Sequence, residues 1–447
     1  MTMGEADRAD GTAGKQARRQ MKPVWWVGST YFIEGLPYMI VRALSSVYFT
    51  DIGVKERYIG YLNFLGIPWN FKWAWAPLVD LFFTKRAWLV AVQFLLALAT
   101  FALAGLNLLI PPAGDPAPYL LVASGLFIAM GFLAATNDIA IDAYYLEGLT
   151  DKKEQAAWSG HRILTWRLSV PYVRSLLVAV AAWAAAANAG AGPYAPWFWA
   201  FGAGGLTLLV FAVFHLFCIP RFETVRTGDR PSCRQAVSRF GEAFLTFLRQ
   251  ERIALALVFI ILYKIGDEII FCMVTPFLMR EIGLSKAQFS WISGIVGTVG
   301  IVAGSMLGAW IIKQWGLKRT IWPLTLLMNL NIWAYIWLAW TKPSPADSWG
   351  VFLIALIHGY ENLANGLGNA VLIIYVMRLC KPEYKATHFA VGSAIWSLAS
   401  VLFGGFGGRM VESMGYVNFY ILGFFATIPS MVLLFWIPLR EEEARAS

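Results

Sequence analysis

The chain has 447 residues, of which 58% are hydrophobic and only 14% charged, against about 25% charged in an ordinary soluble protein. That balance excludes a soluble globular domain, and the net charge of +9 reads as membrane topology rather than as a nucleic-acid surface. The four cysteines, Cys218, Cys233, Cys272 and Cys380, have no metal-ligand spacing. Three of them fall in or near segments expected in the cytoplasm, so no metal site, cofactor or disulfide is expected.

In chain order, the first two dozen residues are polar and basic, with no apolar core or small-residue cleavage site behind them, so no signal peptide is expected. Runs of about twenty apolar residues then recur to the C-terminus, long enough to cross a bilayer as helices, with Trp-rich ends that fit an interfacial belt. Twelve spans are expected, at about 24–50, 57–82, 87–110, 119–147, 158–188, 196–219, 253–279, 286–312, 319–341, 349–378, 385–410 and 416–438. The predicted fold is all-α, a polytopic membrane protein of two six-helix pseudo-symmetric bundles, 24–219 and 253–438. A tail (1–23), a linker (220–252) and a second tail (439–447) complete it.

Lysine and arginine orient the spans. One set of loops holds Arg8, Lys15, Arg18, Arg19, Lys22, Lys85, Arg86, Lys152, Lys153, seven arginines in 221–252, Lys313, Lys318, Arg319, Arg378, Lys381 and Lys385. The alternate set holds Lys55, Arg57, Arg280, Lys286, Lys342 and Arg409. The richer set belongs in the cytoplasm, with both termini. In the linker, Val237, Phe240, Phe244 and Phe247 recur at helical spacing among arginines, which describes a helix lying on the membrane surface; a tether between the halves is the plainer reading.

The halves repeat. Asp51-Ile52-Gly53-Val54 matches Glu281-Ile282-Gly283-Leu284 at an offset of 230 residues, and Leu149 to Ala156 aligns with Leu379 to Ala386 at the same offset. Two matches at one offset, flanking a polar centre, indicate a duplicated six-helix unit.

Ionisable residues follow that repeat. The third, sixth, ninth and twelfth spans have no Asp, Glu, Lys or Arg in their interiors. The first, fourth, seventh and tenth hold Glu34 and Arg42; Asp138 and Asp142; Lys264, Asp267 and Glu268; and Glu361. Charge-free helices can face lipid, whereas the charged ones must enclose a wet cavity, an arrangement suited to an alternating-access carrier. Glu34, Lys264 and Glu361 lie about ten to twelve residues into their spans, near the midplane of a core about 30 Å thick. Arg174 and Lys72 share that depth. Glu34 and Lys264 differ by 230 residues and are expected to face one another.

Several of these residues read two ways. Asp138 and Asp142, one turn apart on one helix face, are either a structural salt bridge or a gate, for which Asp80, Arg162 and Arg167 are further candidates. Lys264, Asp267 and Glu268 form either a self-neutralising cluster or part of the cavity with Glu34, Lys72, Arg174, Glu361 and Asn365. His358, Glu361, Asn362, Asn365 and Asn369 form a ladder that serves either helix packing or function. Trp69, Trp73 and Trp75 pack or stack on a sugar. Glu34, Asp267, Glu268 and Glu361 are the candidates for proton coupling, since a midplane carboxyl beside a cation can hold or release a proton as its neighbours move.

At Phe71-Lys72-Trp73-Ala74-Trp75-Ala76-Pro77-Leu78-Val79-Asp80 the chain resembles the major facilitator superfamily, in the branch of AmpG-type muropeptide permeases and acetyl-CoA transporters. Asp138-Ile139 with Asp142-Ala143, and Ala386-Thr387-His388-Phe389-Ala390, resemble further segments of that branch. The superfamily's Asp-Arg loop motif is degenerate after Asp80, and after the eighth span lysine (Lys313, Lys318) stands where an acid is expected, so the gate is expected to be charged differently. The resemblance implies two rocking bundles and proton-driven import of a large anionic solute such as anhydromuropeptide across the bacterial inner membrane, by a monomer, with no enzymatic activity. An acetyl-CoA-like ester or a siderophore is the alternative cargo, and a non-transporting membrane sensor the alternative class. His161 and His358 belong to different halves and have no nucleophile or acid spacing, so no catalytic site is expected.

Overall fold

The structure is a computed structural model that describes residues 21–111, 115–188, 190, 192–222, 241–242 and 244–438; the side chains of 80, 81, 152, 382, 385 and 386 lie outside the described set. Helices dominate throughout. Helix α1 runs Pro23–Met39, widens into a π-turn at Ile40–Leu44 and continues as Ser45–Asp51. Helix α2 is a chain of short pieces, from Glu56–Tyr61 through a 3-10 stretch at Leu62–Gly66 to Ile67–Phe71, Lys72–Ala74 and Ala76–Leu81. Helices α3 (Lys85–Leu109) and α4 (Ala117–Gly148) follow. Helix α5 passes from Lys152–Pro171 through a π-turn at Tyr172–Leu177 to Val178–Ala187, and α6 spans Ala195–Cys218.

The second half repeats the scheme. Helix α7 comprises Ile253–Tyr263, Ile265–Pro276 and a π-turn Phe277–Glu281; α8 comprises Lys286–Trp291, a π-turn Ile292–Val296 and Gly297–Trp315. Helix α9 is Leu317–Leu330 and Ile332–Thr341, and α10 is Ser348–Leu379. A last run, Lys385–Leu433, is two helices, α11 and α12, joined at Gly415, whose φ of 74° only glycine adopts freely.

Among the described residues, seven helices are long and apolar enough by themselves to cross a membrane. The other expected spans are real helices that fail this count for physical reasons. Helix α2 is broken into short pieces and α7 is broken at Lys264, while α1 carries Glu34 and Arg42 within its span. In α10 the ladder His358, Glu361, Asn362, Asn365 and Asn369 lowers the mean hydropathy. Exposed side chains on the charge-free helices are apolar, including Leu98 and Leu109 on α3, Val210 and Phe217 on α6, Trp333 and Trp340 on α9, and Phe425 and Val432 on α12. That is the surface a lipid-facing helix needs.

Helices pack backbone to backbone where glycine allows it. A Cβ at Gly304 of α8 would lie 2.0 Å from the Leu363 carbonyl oxygen of α10, and one at Gly408 of α11 would lie 1.9 Å from the Glu56 carbonyl oxygen of α2. The first contact is inside the second half. The second is a seam between halves, whose counterpart is α5 against α8, where a Cβ at Gly294 would strike Ser175.

The apolar core divides unevenly. At the end of the bundle holding the α1–α2 turn, one core runs unbroken from Ile33, Val47 and Phe127 of the first half to Phe277, Ile292 and Phe419 of the second. At the end holding the α2–α3 turn there are two cores. One belongs to the first half (Trp26, Tyr31, Tyr144, Tyr145) and one to the second (Phe259, Tyr263, Leu324, Tyr375).

The expected surface helix of the linker is only partly within the described residues; Val237 and Phe240 lie outside them. Phe247 is fully buried in the second-half core, with its ring 5.1 Å from His388. Thr246 hydrogen-bonds the His388 ring at 3.0 Å. This part of the linker therefore docks on α11 rather than lying on the bilayer, because its apolar face finds a protein partner first. Cys218 and Cys272 are free thiols; Cys233 lies outside the described residues.

Candidate functional site

Asp138 and Asp142 of α4 do sit on one face, and both have partners in the first half. Lys72, on the 3-10 piece of α2, donates to Asp138. Asp142 accepts from the Tyr31 hydroxyl at 2.8 Å and from Arg162 of α5 at 3.4 Å. Arg162 also lies over the Tyr31 ring, 4.9 Å from its centroid. The Asp142 and Arg162 side chains are each 40% exposed, so this pair opens toward the α2–α3 end. The side chain of Asp80 lies outside the described residues.

Glu34 is buried beside Asp138, Asp142 and Lys72, and its Oε2 has no hydrogen-bond partner. The expectation that it faces Lys264 fails. Lys264 bonds Asp267 one turn along its own helix, and the pair is 5% and 2% exposed. Repeat symmetry gave the two positions equal depth, but an acid three residues away neutralises Lys264 without any partner from the other half. Glu268, half-buried, makes no side-chain hydrogen bond among the described residues.

The ladder on α10 completes this second cluster. Asn365 donates to Asp267, and Asn369 donates to Asn365. Asn362 donates to Glu361 Oε2 at 3.1 Å, while Tyr335 and His358 share a 2.7 Å bond. Glu361 is fully buried, its Oε1 unpartnered, within electrostatic range of Asp267, Lys264 and Arg174. The cation that looks across to the second half is thus Arg174, which donates to Ser293 of α8 at 3.1 Å. Pro171 and the π-turn after it set the direction of Arg174, since a wider turn re-aims the side chain. Arg167, two turns earlier, has no hydrogen bond or ion pair among the described residues. Tyr38 lies within electrostatic range of both arginines.

At the α1–α2 end the halves are tied by ions. Lys286 of α8 bonds both carboxylate oxygens of Asp51, at 3.0 and 2.9 Å. Arg280 caps the end of α1 through the Val54 carbonyl (2.7 Å) and Phe49 carbonyl (3.1 Å), and reaches Glu56 at 3.0 Å. Arg57 pairs with Glu412 at 2.7 Å. In the sequence Arg57, Arg280 and Lys286 read only as loop charge and Asp51 as part of the repeat; their pairing across halves depends on the fold.

A buried polar chain behind Glu34 was also missed. His215 Nδ1 donates to Gln93 Oε1 at 2.7 Å, since the Gln93 amide is already donating to Asn137 at 3.3 Å, and Ser29 meets His215 Nε2 at 3.0 Å. Asn137 in turn donates to the Ile33 carbonyl at 3.2 Å. The available signal was Gln93 and His215, two of the few polar residues inside these mostly apolar spans.

With this geometry in hand, the relatives are informative. Residues 27–364 match the family model of the Major Facilitator Superfamily. An anhydromuropeptide permease of Escherichia coli (strain K12) is 26% identical over 409 residues, 90% of this chain and 77% of that protein. "Putative transporter AmpG 4" of Rickettsia felis is 24% identical, over 91% of this chain and 94% of the relative. Among solved structures, a D-xylose-proton symporter superposes with a TM-score of 0.67 at 14% identity, covering 93% of this chain and 97% of its own. A bacterial homolog of the human lysosomal transporter Spinster, inward-facing and unoccupied, gives 0.65 at 14% identity, over 92% and 94%. These structures share the fold. The protein is a multi-pass membrane transporter rather than an enzyme, and it belongs to the Major Facilitator Superfamily.

Proposed function

We propose that the chain is a proton-coupled importer of an anionic amphiphilic solute, of the anhydromuropeptide class, in the bacterial inner membrane. It works as a monomer with both termini in the cytoplasm, by rocking 24–219 against 253–438. The observation that carries the reading is the division of the core: one continuous core at the α1–α2 end, two separate ones at the α2–α3 end. With basic loops inside, this is an inward-open carrier, closed to the outside by Asp51–Lys286, Arg280–Glu56 and Arg57–Glu412.

The cargo follows from the relatives' printed names together with Arg167 and Arg174, neither of which forms an ion pair among the described residues. Glu34 and Glu361 are the proposed proton carriers. Each keeps a buried carboxyl oxygen with no protein donor, where a proton can be taken up without breaking an existing bond.

The test is uptake of labelled anhydromuropeptide into proteoliposomes with and without an inward-directed proton gradient. Native protein is expected to accumulate the solute only with the gradient. Glu34→Gln or Glu361→Gln is expected to leave downhill exchange and abolish accumulation. Gradient dependence unchanged in both variants removes the coupling assignment, and no uptake by the native chain removes the cargo.

A further inference from the structure

Two arginines of α5, Arg167 and Arg174, stand apart from the other cations at mid-depth. Lys72 has Asp138, Arg162 has Asp142, and Lys264 has Asp267. Arg42 of α1 donates to the Leu62 carbonyl at 3.3 Å and to the Asn63 carbonyl, both freed by the 3-10 stretch of α2. Arg167 has no protein partner among the described residues, and Arg174 has one neutral hydroxyl, Ser293. A guanidinium inside a membrane span is costly, and helix bracing alone would supply it with acceptors.

Their surroundings carry donors as well. Tyr38 packs against Trp69, with ring centroids 4.9 Å apart and an 83° interplanar angle, and against Trp166 at 5.6 Å. All three side chains are half-buried, and neither the Tyr38 hydroxyl nor the two indole N–H groups has a protein acceptor among the described residues. The cluster spans α1, α2 and α5, with Tyr38 within electrostatic range of both guanidiniums. Packing explains the rings. It does not explain why the two guanidiniums and the two indole N–H groups together leave so many donors without a carboxylate.

We propose that Arg167, Arg174, Tyr38, Trp69 and Trp166 form a binding subsite for the carboxylate-bearing sugar-peptide portion of the solute. The assignment rests on the transport reading above and narrows it to a subsite. Seven residues along α5 separate the two backbone positions by roughly 10 Å, at about 1.5 Å per residue. The guanidiniums therefore hold two carboxylates of one extended solute, or one carboxylate handed from Arg167 to Arg174. The planar fork of each takes a carboxylate through two parallel hydrogen bonds. The aromatic bodies cover apolar ring faces, while the hydroxyl and indole N–H groups meet sugar and peptide oxygens. A phosphate ester has the same affinity for guanidinium, so the test separates the two anions.

Full-length protein in proteoliposomes is assayed with labelled anhydromuropeptide in two forms, carboxylates free and carboxylates amidated, each also with acetyl-CoA as competitor. The native chain is expected to show a KM at least tenfold lower for the free acid, with acetyl-CoA competing weakly. In Arg167→Gln and Arg174→Gln that ratio is expected to fall toward one, and in Arg167→Lys to lie between. Uptake of the amidated form certifies that a variant is folded; where a Gln variant moves neither form, the Arg167→Lys ratio decides. A ratio unchanged in the variants, a native chain indifferent to amidation, or acetyl-CoA competing as well as the free acid overturns the subsite. If the native chain moves neither form, the cargo reading itself fails, which is a separate result.

Discussion

At Lys264 an ammonium deep in a membrane protein makes one side-chain hydrogen bond among the described residues, to an acid on its own helix. Its partner Asp267 takes a second bond from Asn365, and all three are buried. Removing one member of a buried pair costs about 3–5 kcal/mol, because the other charge is stranded. Lys264→Met is therefore expected to lower thermal stability in detergent sharply, and Lys264→Met with Asp267→Asn to recover most of the loss. A double variant no more stable than the single one would mean that Lys264 serves something other than Asp267. His215 is the uncharged counterpart in the first half, where both ring nitrogens are satisfied by Gln93 and Ser29 and the hydrogen bonds fix the Nδ1–H tautomer.

Among elements, the breaks in the helices obey the repeat. The 3-10 stretch Leu62–Gly66 of α2 and the π-turn Ile292–Val296 of α8 are 230 residues apart, one over-wound and one under-wound at equivalent places. Each meets the other half there. Asn63 donates to the Gly404 carbonyl at 3.1 Å, and Arg174 donates to Ser293; 63 with 293, and 174 with 404, are again 230 apart. Local departure from α geometry thus occurs at both seams on which the halves must turn.

Glycine sets how close the remaining helices come. Gly304→Ala would force a methyl against the Leu363 carbonyl of α10, and is expected to cost about 1–3 kcal/mol in thermal stability. Gly105→Ala, on α3 with nothing within 4 Å of the new carbon, is expected to be neutral or to stabilise by up to about 1 kcal/mol. Equal effects at the two sites would sink the close-packing account of α8 and α10.

For the whole molecule, the shared core and the three ion pairs at the α1–α2 end predict which end opens when charge is altered. Asp51→Lys places like charges where Lys286 now bonds a carboxylate at 2.9 Å, a repulsion expected to part that end. Spin labels at Lys55 and Ala346, in a cysteine-free background, report it: the distance between them is expected to lengthen in Asp51→Lys. It is expected to shorten again in the swap Asp51→Lys with Lys286→Asp. No lengthening in the single variant would show that apolar packing alone holds the halves together.

Composition and periodicity determined the membrane class, the helical fold and the twofold repeat, because a bilayer tolerates few alternatives: apolar runs of the right length and basic loops can be read along the chain. The same reasoning gave each charge of the site an expected depth, since depth is a one-dimensional property of a helix. Which charge meets which across helices was beyond it. Lys264 took the i,i+3 partner that its own helix offered, Asp267, instead of Glu34, while Arg174 crossed to Ser293 and Phe247 entered a core instead of a bilayer. Partnership depends on helix rotation and on local π- and 3-10 turns, which residue spacing does not encode. Only the tertiary structure could therefore leave the guanidinium of Arg167 without an acid.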